Sequence, residues 1–210
     1  MTRRAKIAWT LGGLGWLAGV AAGMTLLMRY DTTPGAPAQA PHVWPRDSRL
    51  ALAADRPTLV MLAHPRCDCT RASLAEIAEL LARTSHHPRT YIVFIKPPRA
   101  GVEWERTPTW ATAAAIPGVE VLRDDDGREA RRFGVQTSGQ VLLFMQDGGL
   151  AFSGGTTSAR GKTGTNVGRT TLLDLLEGRV AHTSGTPVYG CPLFGPADGP
   201  EPAGDHAHGV

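Results

Sequence analysis

Apolar residues follow two regimes along the chain. Ile7 to Met28 reads IAWTLGGLGWLAGVAAGMTLLM, 22 residues without a charge. As a helix it would span roughly 33 Å, the hydrocarbon thickness of a bilayer. Arg3, Arg4 and Lys6 precede it, and only Arg29 follows before Asp31. The positive-inside rule therefore keeps the N-terminus in the cytoplasm and puts everything after Tyr30 across the membrane. Residues 1–30 predict an uncleaved anchor. The competing reading is a signal peptide cut near Ala38-Gln39-Ala40, but that motif lies well beyond the apolar run, and the run is longer than a signal core of about 7–15 residues.

Beyond residue 45 the apolar positions come as short runs and helical stripes. Thr58-Leu59-Val60-Met61-Leu62-Ala63, after Pro57, reads as a strand buried on both faces. Leu74, Ile77, Ala78 and Leu81 fall at i, i+3, i+4, i+7 and predict a helix over 73–83. Ser73-Leu74-Ala75-Glu76 fits a capping box that would start it at Ser73, although a start at or just after Cys67 is the other option. Tyr91 to Lys96 is a second buried strand, 104–115 a weaker helix, and Val119 to Arg123 a short strand leading into Asp126-Gly127. Val141 to Met145 and Leu150 to Ser153 flank Gln146-Asp147-Gly148-Gly149 as a hairpin, and a last helix covers 170–177 before Gly178. This order predicts a mixed sheet between helices, an α/β sandwich over 46–195. Residues 31–45, rich in Pro and Ala, read as a tether, and 196–210 as a disordered tail.

The net charge of +3 belongs to the anchor. Four of the 22 basic residues lie in the first 30, which hold no acid, leaving 18 basic against 19 acidic residues, a balance of −1. Such a domain carries no electrostatic footprint for nucleic acid. Neither G-x-S-x-G nor H-E-x-x-H is present, which removes the usual hydrolase signatures. Ser153 to Thr163 resembles a phosphate loop, but Thr156 stands where the motif needs its first glycine, so it reads as a polar loop near the cysteines.

The three cysteines carry the candidate chemistry. In an oxidising compartment an odd count suggests one pair and one leftover thiol. Cys67 and Cys69 form the obvious pair, and Cys191 is a possible third thiol. Cys67 lies between a buried strand and a helix start, where exposed N–H groups and the helix dipole favour a thiolate. Arg66 and Arg71 act in the same direction and Asp68 opposes them. On a helix, Cys67 and Cys69 point nearly opposite ways, so a bond between them needs distorted backbone and would be labile.

A buried strand running into a cysteine motif at a helix start, followed by strand, helix, hairpin and helix, resembles the thioredoxin-like superfamily. Asp124 to Gly127, Phe133-Gly134-Val135 and Val141 to Phe144 resemble the second half of its membrane-tethered bacterial branch. His64-Pro65-x-Cys67-x-Cys69-x-Arg71-Ala72-Ser73, Ser153-Gly154-Gly155 and Gly190-Cys191-Pro192 are similar to RedB-type proteins. The resemblance implies a thioredoxin-like three-layer sandwich behind an N-terminal transmembrane helix. It further implies a single-pass protein of the bacterial inner membrane, with its domain facing the periplasm or extracytoplasmic space. The implied reaction is exchange with protein or small-molecule thiols and disulfides, with Cys67 attacking, Cys69 resolving and no cofactor. The C-x-C spacing departs from the family's C-x-x-C, and Gly139 stands where the family has a proline facing the cysteines. The missing proline opens an alternative, Cu(I) held by Cys67 and Cys69 with His64 as a further ligand, and with Cys191 as a third sulfur if the C-terminal segment folds back over the site. His64 reads more readily as a strand-end side chain bonded to backbone than as a ligand.

Overall fold

The computed structural model describes residues 2–101 and 103–195, so the tail expected over 196–210 lies outside the described residues. The chain divides into two compact units, Met1–Thr33 and Pro34–Val210. The first is one helix, α1 (Arg3–Thr32), started by the Thr2 side chain. Its large apolar side chains, including Trp9, Trp16 and Leu26, are exposed. By length and composition it is the one described helix apolar enough to cross a membrane.

The second unit is built on five strands: β1 (Thr58–Ala63), β2 (Arg89–Lys96), β3 (Val119–Asp125), β4 (Gln140–Phe144) and β5 (Leu150–Gly154). They lie in the order β3-β2-β1-β4-β5, with β1, β2 and β3 parallel and β4 antiparallel to both β1 and β5. The all-apolar run of β1 sits at the centre, every residue of it buried. Strand alternation sorts its side chains onto two faces. Leu59 and Met61 join Ile92, Phe94, Val141 and Leu143 under α2 (Asp68–Arg83), α3 (Pro108–Ala114) and α5 (Val167–Leu176). Val60 and Leu62 join Tyr91, Val93, Leu142 and Phe144 on the other face, covered by α4 (Arg128–Arg132), Phe133, Trp44 and Leu193.

Helix boundaries moved for identifiable reasons. α2 begins at Asp68 with Cys67 as its N-cap, five residues before the capping-box start. Glu76 is not a cap. It is 2% exposed and accepts from Gly164 N (2.6 Å), Asn166 Nδ2 (3.0 Å) and Arg169 Nη1 (2.7 Å), tying α2 to the start of α5. α3 starts late because Pro108 fits the first helical turn and Thr107 Oγ1 caps Trp110 N at 3.2 Å. α5 starts early on an Asn166 cap.

The free tether expected over 31–45 is corrected from Pro34 onward. Gly35 N donates to Val188 O (2.8 Å), Gln39 N to Gly134 O (2.8 Å) and Trp44 N to Gly148 O (2.8 Å). Trp44 packs edge-on against Phe133 and Phe144. Backbone pairing and one large aromatic hold a segment whose composition alone suggested a spacer.

Candidate functional site

β1 ends at Ala63, and Pro65-Arg66 turns the chain into α2, closed by Cys67 N donating to His64 O at 3.3 Å. Cys67 is thus the residue on which the helix begins, and it is only 2% exposed. Beside the turn lies the segment before β4. Ser138 Oγ accepts from His64 N (2.8 Å) and meets Thr70 Oγ1 at 2.9 Å, while Gly139 N donates to Leu62 O (2.9 Å). Gly139 adopts φ +88°, and a Cβ there would lie 2.9 Å from Ser73 Oγ. At the position where the family resemblance expects a proline, the left-handed backbone favours a residue without a side chain.

The C-terminal segment crosses over this turn. Ser138 N donates to Cys191 O (2.8 Å) and Leu193 N to Gln136 O (2.8 Å), a short antiparallel pairing that lays residues 190–193 along 136–138. The consequence is a sulfur pair: Cys67 Sγ lies 2.9 Å from Cys191 Sγ, across 124 residues of sequence. All three cysteines are free thiols. Cys69, half-buried on α2, also hydrogen-bonds Cys67, but Cys191 is the sulfur in contact with it at 2.9 Å.

Cys67 is pulled from an ordinary 9.0 to about 5. The largest cause is the Cys191 thiol, which donates to the ionised sulfur; the Cys191 N–H and the hydroxyl and N–H of Thr70 add to it, while burial opposes. Cys191 is pushed up, chiefly because its hydrogen is engaged by Cys67, then by burial and the neighbouring sulfur charges. Cys69 is also pushed up, by burial first and then by the Cys67 charge, against the pull of Arg160. Of the three sulfurs, one is a thiolate at neutral pH and two are thiols. Arg66, expected to assist, stacks 4.0 Å over the Trp104 ring. Arg160, from the polar loop after β5, donates to Gly190 O at 2.7 Å and hydrogen-bonds Cys69. No sequence signal singled it out.

The three-ligand arrangement weighed for Cu(I) is not assembled. His64 Nδ1 accepts from Arg66 N at 3.2 Å, the strand-end role, and its ring meets Trp104 edge-on. Among the described residues no three His, Cys, Asp or Glu side chains converge on a metal position.

A central β1 feeding a cysteine-capped helix, in a sheet of order 3-2-1-4-5 with its last two strands antiparallel, decides the architecture. The fold is thioredoxin-like. A hypothetical protein of Sinorhizobium meliloti is similar in structure, with a TM-score of 0.56 at 18% identity, over 77% of this chain and 93% of that one. An uncharacterized conserved protein of Geobacillus kaustophilus has a TM-score of 0.57 at 17% identity, over 79% and 94%. The exposed lipoprotein thioredoxin Etrx1 of Streptococcus pneumoniae gives a looser match, 0.43 at 14% identity, over 59% and 84%. No protein-family model and no curated protein matches the chain.

Proposed function

We propose that this protein is a membrane-anchored thiol–disulfide oxidoreductase of the bacterial inner membrane, its domain on the extracytoplasmic side and Cys67 its working thiolate. The observation that carries the reading is the state of Cys67, a buried sulfur on the N-cap residue of α2, drawn to about 5 with a second sulfur 2.9 Å away. A sulfur of low pKa serves exchange in both directions: ionised it attacks a disulfide, and within a disulfide it is the better leaving group. Electrons pass between sulfurs, so the reaction calls on no dissociable cofactor. The thioredoxin-like frame supports thiols and disulfides as partners, and α1, with Arg3, Arg4 and Lys6 at its start, supports the anchor and its orientation.

Full-length protein in detergent, assayed for exchange with a disulfide-bonded peptide, tests this reading. Cys67→Ser is expected to bring the rate down to the uncatalysed background. A variant that exchanges at the wild-type rate would sink the assignment.

A further inference from the structure

We propose that the working disulfide joins Cys67 to Cys191, with Cys191 the sulfur presented outward and Cys67 the buried one, and with Cys69 outside the bond. The proposal rests on the oxidoreductase reading above and deepens it by naming the pair.

The first ground is position. Cys67 Sγ and Cys191 Sγ are already in contact at 2.9 Å, so closing the bond needs little movement. Cys69 is the second residue of α2, turned about 200° around the helix from its cap, and a bond to Cys67 would unwind the first turn.

The second ground is the way Cys191 is held. Residues 184–193 form a strap fastened along its length. Ser153 N donates to Ser184 O (2.9 Å), and Thr186 Oγ1 to Gly155 O (2.7 Å). Gly35 N reaches Val188 O, Arg160 reaches Gly190 O, and Leu193 is fully buried in the core. A Cβ at Gly155 would lie 2.6 Å from Pro187 O, and one at Gly190 would collide with Ser138 O. Three short motifs scattered over the sequence thus become parts of one device. Ser153-Gly154-Gly155 receives the strap, Gly190-Cys191-Pro192 carries the sulfur, and the cysteine-capped helix holds its partner.

The third ground is access. Cys67 is 2% exposed, whereas Cys191 is only partly buried. In the oxidised protein a substrate thiolate attacks Cys191 Sγ. The Cys67–Cys191 bond breaks, its electron pair leaves on Cys67 as thiolate, and a mixed disulfide joins Cys191 to the substrate. The substrate's second thiolate then attacks the substrate sulfur of that bond, and Cys191 departs and takes up a proton. The substrate dithiol has become a disulfide and the protein disulfide a dithiol.

Full-length protein in detergent is equilibrated with glutathione buffers, its free thiols are alkylated, and its tryptic peptides are identified by mass. The peptide bounded by Arg66 and Arg71 holds both Cys67 and Cys69, so Cys69→Ser resolves which one is joined. A Cys67–Cys191 link kept in Cys69→Ser and lost in Cys191→Ser is expected. A Cys67–Cys69 link surviving in Cys191→Ser overturns the pairing while leaving exchange at Cys67 standing. Absence of any protein disulfide at every glutathione ratio defeats the pairing and the oxidoreductase reading together. Oxidised protein given less than one equivalent of reduced glutathione and quenched in acid is expected to carry the adduct on Cys191. An adduct on Cys67 overturns the outward assignment.

Discussion

Thr70 is the residue through which the ionisation of Cys67 is most open to test. Its hydroxyl has one proton to give and three oxygen or sulfur neighbours: His64 O at 3.2 Å, Ser138 Oγ at 2.9 Å and the Cys67 sulfur. When Cys67 is ionised the sulfur is the strongest acceptor. A hydrogen bond to a charged group contributes about 1.5 kcal/mol at the low end, close to one pH unit. Thr70→Val is therefore expected to raise the Cys67 pKa by about one unit, read from the ultraviolet absorbance of the thiolate in the reduced protein. An unmoved midpoint would remove Thr70 from the account. The placement of Cys67 was legible in the sequence because its setting is local: strand, cysteine, helix. Its partner was not. Cys191 is 124 residues away, and a lone cysteine in a glycine-rich stretch carries no mark of what it will touch.

Among the elements, β1, β2 and the β4–β5 hairpin were legible because buried strands and a Gly-Gly turn leave periodic traces. The start of α2 was not, since Ser73 and Glu76 fit a capping box while tertiary structure uses Glu76 to bind the loop before α5. The 34–45 stretch and the strap were missed for one shared reason: irregular segments that dock by backbone hydrogen bonds depend little on side-chain pattern. The strap nevertheless has a sequence requirement at Gly190. Gly190→Ala places a methyl group against Ser138 O, the carbonyl beside the Cys191 pairing. Overpacking of this kind costs typically about 1–3 kcal/mol. The variant is expected to melt lower and to close its disulfide more slowly, measured by thermal denaturation and stopped alkylation. Wild-type values in both would show that the strap tolerates displacement and does not set the sulfur pair.

For the whole molecule the decisive property is the proton count of the redox couple. Cys67 falls from 9.0 to about 5 in the folded reduced protein, whereas Cys191 is pushed above the ordinary thiol range. The reduced fold is thus favoured by the Cys67 thiolate fully above pH 9, and that contribution is lost as pH falls through about 5. The oxidised fold has no such dependence, so acidification across this window weakens the reduced state alone. The same asymmetry sets how many protons accompany the electrons. Above about pH 5, reduction of the disulfide takes up two electrons and one proton, carried by Cys191, because Cys67 stays ionised. A two-electron couple shifts by about 30 mV for each tenfold change in equilibrium. The midpoint potential of the full-length protein, measured against pH in detergent, is therefore expected to fall by about 30 mV per pH unit between roughly 6 and 8. A slope near 59 mV, two protons for two electrons, or the absence of any two-electron transition would contradict a working thiolate at Cys67.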